Sequence, residues 1–234
     1  WKEDKKTETN EVMFALQPSA KHKIASNYGK SYYPSDYSPN AGWADYYGNE
    51  DFFKAYPNDD RKEWNYMTEW KIKSGEIIPY TESADKLPAI SKYYDYDEGA
   101  PGKSAQSNGI TCIYRYAEVL LMYAEASTRA TNSVNQDALN AIQEVQKRAG
   151  YQDRQIELTT TTEPTAFLAA VSNERGWEFF AEMKRWFELV RLEKVKEVRA
   201  EEWDASTFNT NHHYYFPVPY QQVDLAGWTN NAGY

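Results

Sequence analysis

The chain has 234 residues and a formal net charge of −9 at neutral pH. This acidic balance argues against a general nucleic-acid binder, which needs a basic surface to neutralise phosphates. The single cysteine, Cys112, excludes an intramolecular disulfide and a cysteine-rich zinc site. Hydrophobic residues make up 41% of the sequence, which is enough for a sizeable core. No apolar run is long enough to cross a bilayer.

The aromatic residues are biased towards rings that carry a polar group. There are 20 Tyr and 8 Trp against 9 Phe. Such rings suit half-exposed surfaces and binding sites better than deep cores.

The first part of the chain combines one apolar stretch with a segment dense in rings. Residues 12–16 are apolar and are followed by Pro18, which predicts a buried or extended strand. Residues 28–49 show neither a helical nor a strand period, so we expect a long ordered loop. The aromatic residues between positions 28 and 70 are Tyr28, Tyr32, Tyr33, Tyr37, Trp43, Tyr46, Tyr47, Phe52, Phe53, Tyr56, Trp64, Tyr66 and Trp70.

Short elements are predicted after that loop. Residues 50–56 favour a short helix, residues 58–62 a polar turn, and residues 67–73 a strand.

Two consecutive helices are predicted after residue 113. The first, over residues 114–127, places Tyr116, Val119 and Tyr123 on one face. That face should be covered by residues outside this chain or left partly exposed. Together with a second helix it would form an αα-hairpin, the unit of helical repeats.

The second helix should run over residues 133–149. Ser133 with Gln136 is a candidate capping box, and Gly150 is a natural stop. Its buried face is expected to contain Ala138, Ile142, Val145 and Ala149.

A long helix is predicted after Pro164 and through residues 168–194, with Gly176 as a possible kink. Glutamate and arginine alternate with its apolar residues. Two interpretations stay open: the charges face water, or they form a partly buried ionic network. One helical face would carry Phe179, Met183, Trp186, Phe187 and Val190.

Residues 28–70 also suggest a saccharide site. Sugar rings present apolar C–H faces that lie against Trp and Tyr, and hydroxyl groups that need polar partners beside those rings. Trp43 is the first choice as a ligand-binding residue. The other expected ligand-binding residues are Tyr46, Tyr37, Tyr33, Asp45 and Asn40. The alternative is that these rings only fill a core beneath the loop.

Two other functions stay open at this stage. A glycoside hydrolase needs two carboxylates about 5–9 Å apart, and Asp59 with Asp60, or Asp95 with Asp97 and Glu98, are available. Both groups sit in polar turns, where solvated charge is the usual explanation. A helical scaffold that binds only protein would explain the hairpin but not the rings. No metal or cofactor site is predicted.

Several blocks of the sequence, in order, resemble the SusD/RagB family. Residues 115–126 read RYAEVLLMYAEA, and residues 139–150 resemble the next helix of that family. Residues 174–191, the Phe-Pro-Val-Pro of residues 216–219 and the Asn-Ala-Gly-Tyr ending resemble three further blocks. Asp59-Asp60-Arg61 stands at an aspartate-rich turn. The departures are Gly176, Met183 and Ala232, which replace an arginine, a small residue and a proline.

The resemblance implies a surface lipoprotein of the Bacteroidota outer membrane. It would bind a glycan without catalysis and pass it to a SusC-like TonB-dependent transporter. The resemblance covers residues 50–234, so the chain is expected to be the C-terminal portion, with the lipid anchor absent from it.

The expected architecture is therefore mainly α. It would consist of tetratricopeptide-like helical hairpins with long ordered loops and little strand. Residues 1–111 would form a loop-rich, aromatic ligand-binding part. Residues 112–234 would form a helical part with an extended tail, packed with the first as one unit.

Overall fold

The computed structural model describes residues 9–19, 22, 24–38, 41–93, 109–198 and 213–234. Helices dominate these residues, and the strands form two-stranded antiparallel sheets that pair the first strand with the sixth, the second with the fifth and the third with the fourth. The mainly α architecture with little strand is confirmed. The elements are β1 (Val12–Leu16), α1 (Tyr28–Tyr32), α2 (Glu50–Ala55), α3 (Asp60–Asn65), β2 (Tyr66–Met67), β3 (Glu69–Lys71), β4 (Ile77–Pro79), β5 (Ala89–Ile90), β6 (Thr111–Arg115), α4 (Tyr116–Thr131), α5 (Gln136–Arg148), α6 (Pro164–Glu178), α7 (Arg185–Arg191), α8 (Val195–Val198) and α9 (Tyr220–Ala226).

The chain divides into two compact units, Trp1–Glu182 and Met183–Tyr234. The first contains every element from β1 to α6, and the second contains α7, α8 and α9. The boundary expected at residue 111 from the sequence falls inside the first unit. That residues 1–111 form the ligand-binding part stays a prediction.

The main core lies between α4, α5 and α6. Leu121, Ile142, Phe167 and Val171 are fully buried there. Small residues such as Ala124 allow the helices to approach closely, so large side chains from the neighbouring helices fill the space between them. The expected αα-hairpin is therefore present, with α6 packed against it.

The core-facing side of α4 differs from the face predicted from periodicity. Ala117, Leu121 and Ala124 point into the core, while Tyr116 and Tyr123 remain about half exposed. Apart from Leu121, these core-facing residues are alanines, so a search for large apolar side chains selects the other face. The partial exposure of that face is one of the two outcomes expected from the sequence.

Side-chain caps place the starts of two helices differently from the sequence prediction. Asn135, rather than Ser133, caps α5, because its Oδ1 accepts a hydrogen bond of 2.8 Å from the Ala138 amide. Asp59 caps α3 by accepting from the amides of Arg61 and Lys62. The segment over residues 58–62, predicted as a polar turn, therefore begins a helix.

The single helix predicted over residues 168–194 is wrong, because α6 ends at Glu178. Beyond it, backbone carbonyls accept hydrogen bonds from distant side chains. Arg115 Nη2 donates to the Glu178 carbonyl at 2.7 Å, and Lys92 Nζ donates to the Phe180 carbonyl at 3.0 Å. Ala181 adopts a φ of 58°. Tertiary partners thus replace the next helical turn.

In the second unit, the tail packs back on an earlier segment. Asn231 Nδ2 donates to the Phe216 carbonyl at 2.6 Å, and Tyr234 Oη donates to the Tyr215 carbonyl at 2.9 Å. Two of the blocks that carry the family resemblance therefore meet. In the described part of the chain, no helix combines the length and apolarity that a membrane span requires.

Candidate functional site

The tip of the loop that follows α1 is held by main-chain hydrogen bonds. We call residues 33–49, of which 39 and 40 are not described, the aromatic loop. The Trp43 amide donates to the Lys30 carbonyl at 2.7 Å, and the Asp45 amide donates to the Ser31 carbonyl at 2.9 Å. The tip is therefore fixed against the carbonyls of α1, although it has no regular secondary structure.

Gly42 allows the two segments to approach so closely. A Cβ at this position would lie 2.0 Å from the Tyr33 carbonyl oxygen, which no real contact permits. Two residues later, Ala44 has a φ of 56°, in the left-handed region that non-glycine residues rarely adopt. The backbone of the tip is thus tightly constrained.

Three of the predicted ligand-binding residues lie together at this tip, and all are exposed. Trp43 is 51% exposed and Tyr46 is 61% exposed, with the exposed Asp45 between them in sequence. Lys30 Nζ lies 4.8 Å from the centroid of the Trp43 ring, which is a cation–π distance. The tip therefore presents two rings and one carboxylate to solvent.

The other predicted site residues have different environments. Tyr33 is 1% exposed, so its ring cannot stack on a ligand at the surface, and the structure removes it from the site. Its centroid lies 5.0 Å from that of Tyr37, which is half-buried and bridges to Ile72. These two rings support the loop from below. Asn40 lies outside the described residues.

A tyrosine cluster lies beneath the tip. The ring centroid of Tyr32 is 5.8 Å from that of the exposed Tyr46 and 5.8 Å from that of Tyr93. Burial raises the pKa of Tyr32 to about 12, with the neighbouring Tyr28 and Tyr46 adding to the effect. The phenol is therefore neutral at physiological pH, and the cluster contributes no charge under the loop.

Polar side chains outside the predicted set fix the sides of the aromatic loop. Tyr47 Oη donates to Asp85 Oδ2 at 2.7 Å, and Trp70 Nε1 donates to Asp36 Oδ1 at 2.8 Å. Burial, followed by the bond to Asp85, raises the pKa of Tyr47. Nothing in the local sequence signals these pairs, because their members are more than thirty positions apart.

A buried ion-pair network occupies the first unit at the end of α6. Arg61 Nη1 donates to Glu174 Oε1 at 2.6 Å and to Glu178 Oε2 at 2.8 Å. Arg115 pairs with Glu178 and, at 2.8 Å, with Glu182. Of the two interpretations of the charges in α6, the buried network is correct. Its further members are Glu11, Asp59, Lys92 and Arg148.

Burial and ion pairing have opposite effects on the pKa values of Glu174, Glu178 and Glu182. Burial alone would raise the pKa of Glu178, but Arg115, Arg148 and Arg61 outweigh it and hold the pKa well below the usual value. The pKa of Glu182 is lowered in the same way, against its burial, by Lys92 and Arg115. At Glu174 burial prevails over Arg61, and the pKa is raised.

The carboxylates considered for hydrolysis are committed to structural contacts where the structure describes them. Asp59 is fully buried and bound by Arg61, whereas Asp60 accepts from Arg154 Nε at 2.8 Å on the surface. The alternative group at residues 95–98 lies outside the described residues. Asp59 and Asp60 are therefore held in structural contacts and not presented together to a substrate.

Metal and thiol chemistry find no support in the described residues. His, Cys, Asp and Glu side chains there form no group of three or more that could hold a metal ion. Cys112 is buried, and burial raises the pKa of its thiol to about 12. A thiol with that pKa stays protonated and is a poor nucleophile at physiological pH.

A SusD family model matches residues 10–234. This chain belongs to the SusD family. The SusD-like protein P2 of Formosa agariphila is 28% identical over 200 residues, which cover 77% of this chain and 39% of P2. The resemblance seen in the sequence is thereby confirmed.

Solved SusD structures share the fold. A SusD homologue from Bacteroides thetaiotaomicron matches with a TM-score of 0.78 and 20% identity, over 99% of this chain and 54% of that one. Surface glycan-binding protein A from the same organism, in complex with laminarihexaose, matches with a TM-score of 0.67 and 23% identity, over 98% and 54%. The SusD-family chain thus spans about half the length of these structures and less than half of P2. None of the three relatives is named as an enzyme.

Proposed function

We propose that this SusD-family chain binds a saccharide without catalysis, through Trp43 and Tyr46 at the tip of the aromatic loop. The observation that carries the proposal is the exposure of two rings that flank Asp45 in the sequence, on a backbone fixed to α1. Exposed rings on a rigid support can bind a ligand without first losing conformational freedom.

The chemistry of the tip suits a sugar. Each indole or phenol face can cover the apolar C–H face of a sugar ring, while the Asp45 carboxylate accepts hydrogen bonds from hydroxyl groups. Lys30 lies over one face of Trp43 and helps to fix the ring, so the sugar would occupy the opposite face.

Family membership supports this proposal, and so does the laminarihexaose complex of surface glycan-binding protein A. At 23% identity, the likeness to that complex is one of fold. By analogy with the family, the protein would act at the extracellular face of the outer membrane through a lipid anchor. It would pass the glycan to a SusC-like TonB-dependent transporter.

The binding test is a glycan array followed by affinity gels with the parent chain and Trp43→Ala. The parent should be retarded by at least one polysaccharide. Loss of the indole should weaken binding by about 2 kcal/mol, or roughly 30-fold. Trp228→Ala is a matched control, since Trp228 is 58% exposed and lies outside the aromatic loop. Equal binding by the parent and Trp43→Ala would refute the proposed site.

The polysaccharide retained in these gels also serves to test the hydrolase alternative. Incubation of the parent chain with the retained polysaccharide should release no reducing sugar. Release of reducing sugar at a rate proportional to the protein concentration would mean that the protein is a hydrolase.

A further inference from the structure

A groove of about 460 Å³ opens beside the N-terminal end of α1. This volume lies within the range of about 300–1,000 Å³ that small-molecule sites occupy. Its walls come from the end of β1, the start of β6 and the segment that leads into α1. The lining residues include Leu16, Gln17, Ile24, Tyr28, Ser31 and Thr111.

The side chains of the groove combine apolar surface with hydrogen-bonding groups. Leu16 and Ile24 are more than half exposed, although both are aliphatic. Gln17, Ser31 and Thr111 contribute an amide and two hydroxyl groups, each able to donate and to accept. Among the described residues, those that line the groove carry no charged side chain. A neutral, hydroxyl-rich ligand with apolar faces matches this lining better than an ionic one.

The groove and the tip of the aromatic loop both adjoin α1. Ser31 lines the groove, and its carbonyl accepts the amides of Asp45 and Tyr46. Tyr28 also lines the groove, with its ring centroid 6.4 Å from that of Tyr32, which in turn lies 5.8 Å from Tyr46. The groove and the exposed Tyr46 are therefore packed on the same buried ring of Tyr32.

We infer that the groove is a second saccharide subsite. It holds further sugar units of the same oligosaccharide that stacks on Trp43 and Tyr46. The inference rests on the proposed function. It adds that the site recognises an extended, uncharged oligosaccharide rather than a single terminal sugar. Leu16 and Ile24 would cover sugar C–H faces, and Gln17 with Thr111 would bind hydroxyl groups.

The test measures affinity against chain length. The probes are neutral gluco-, xylo-, manno- and galacto-oligosaccharides, each as a series from disaccharide to octasaccharide. The parent should bind the longest member of one series more tightly than its disaccharide. The double variant Leu16→Ala/Ile24→Ala should lose about tenfold in affinity for the long member and leave disaccharide binding unchanged.

Met13→Ala/Ile77→Ala is the control, because these residues are apolar, similarly exposed and absent from the groove lining. It should keep the length dependence of the parent. If Leu16→Ala/Ile24→Ala also keeps that dependence, or the parent binds all lengths equally, the groove is not a subsite. Trp43→Ala separates the two hypotheses: its loss of binding to every length upholds the tip site even when the groove inference fails. A parent that binds no saccharide overturns both.

Discussion

Gly42 is the residue on which the position of the aromatic loop depends most. Because the added Cβ of Gly42→Ala would meet the Tyr33 carbonyl at 2.0 Å, the loop tip must move away from α1. We expect a loss of about 1–3 kcal/mol in the free energy of unfolding, and a larger relative loss of saccharide affinity. Urea denaturation and affinity gels measure the two effects.

Ala44→Gly is the matched control for this prediction. Ala44 already has a φ of 56°, so glycine removes strain while it adds freedom to the unfolded chain. The two effects nearly cancel, and stability and binding should stay close to those of the parent. If Gly42→Ala behaved as Ala44→Gly does, the close approach at Gly42 would not hold the loop.

At the scale of elements, the sequence pattern correctly predicted helices whose formation depends on neighbouring residues. The helix after residue 50 and the buried face of α5 follow from nearby residues, and the structure confirms them. The strand over residues 12–16 is present, but it is mostly exposed rather than buried, and it pairs with the distant β6. The end of α6 does not follow from nearby residues, since Arg115 binds the carbonyl of its last residue, Glu178, and Lys92 binds the Phe180 carbonyl just beyond it, each from more than sixty positions away.

In the candidate site, too, the sequence predicted the local features but not those that depend on contacts between distant residues. Composition indicated a region rich in rings, and Trp43, Asp45 and Tyr46 do share an exposed tip. The burial of Tyr33 could not be foreseen, because it depends on how the loop folds back on α1. The groove could not be foreseen either, because its walls come from segments that are distant in sequence.

A substitution of Lys92 tests whether its contacts stabilise the chain beyond the end of α6. Lys92→Met removes the donor to the Phe180 carbonyl and the 2.5 Å ion pair with Glu182. With one cation gone from a buried cluster, we expect a loss of about 3 kcal/mol in the free energy of unfolding, measured by urea denaturation. Lys54→Met, which breaks an exposed pair with Glu50, should change stability little. Equal effects would mean that the Lys92 contacts do not stabilise the fold.

At the scale of the whole molecule, the ion-pair network links segments from residue 11 to residue 182. Glu11, Arg61, Lys92, Arg115 and Glu178 come from five separate parts of the first unit. Breaking a buried pair leaves its partner charged in a poorly solvated place, so the network makes these segments interdependent. It reaches α1 through Lys92, whose neighbour Tyr93 packs its ring on Tyr32.

The network gives the fold a characteristic dependence on pH. The pKa values of Glu178 and Glu182 are lowered in the folded state, so their contribution is present above the usual value of 4.5 and is lost as the pH falls through the folded pKa values. Glu174, with a raised pKa, acts in the opposite direction: its contribution is full below 4.5 and is lost as the pH rises through its folded pKa. Two lowered values against one raised value predict a net loss of stability in acid.

Glu178→Gln should flatten this dependence. At neutral pH it should cost about 3–5 kcal/mol, because Arg115 and Arg61 lose a shared partner. Below pH 4.5 the variant should lose less further stability than the parent. Urea denaturation over a pH series measures both slopes, and parallel slopes would contradict the assignment of the acid sensitivity to Glu178.

The most direct test of saccharide binding by Trp43 and Tyr46 is a crystal structure of the protein with the oligosaccharide that binds it most tightly on the array. A sugar ring should lie parallel to the Trp43 indole, on the face away from Lys30, with a hydroxyl group within hydrogen-bonding distance of Asp45 and a second contact at Tyr46. An oligosaccharide bound elsewhere, with Trp43 and Tyr46 still in contact with solvent, would contradict it.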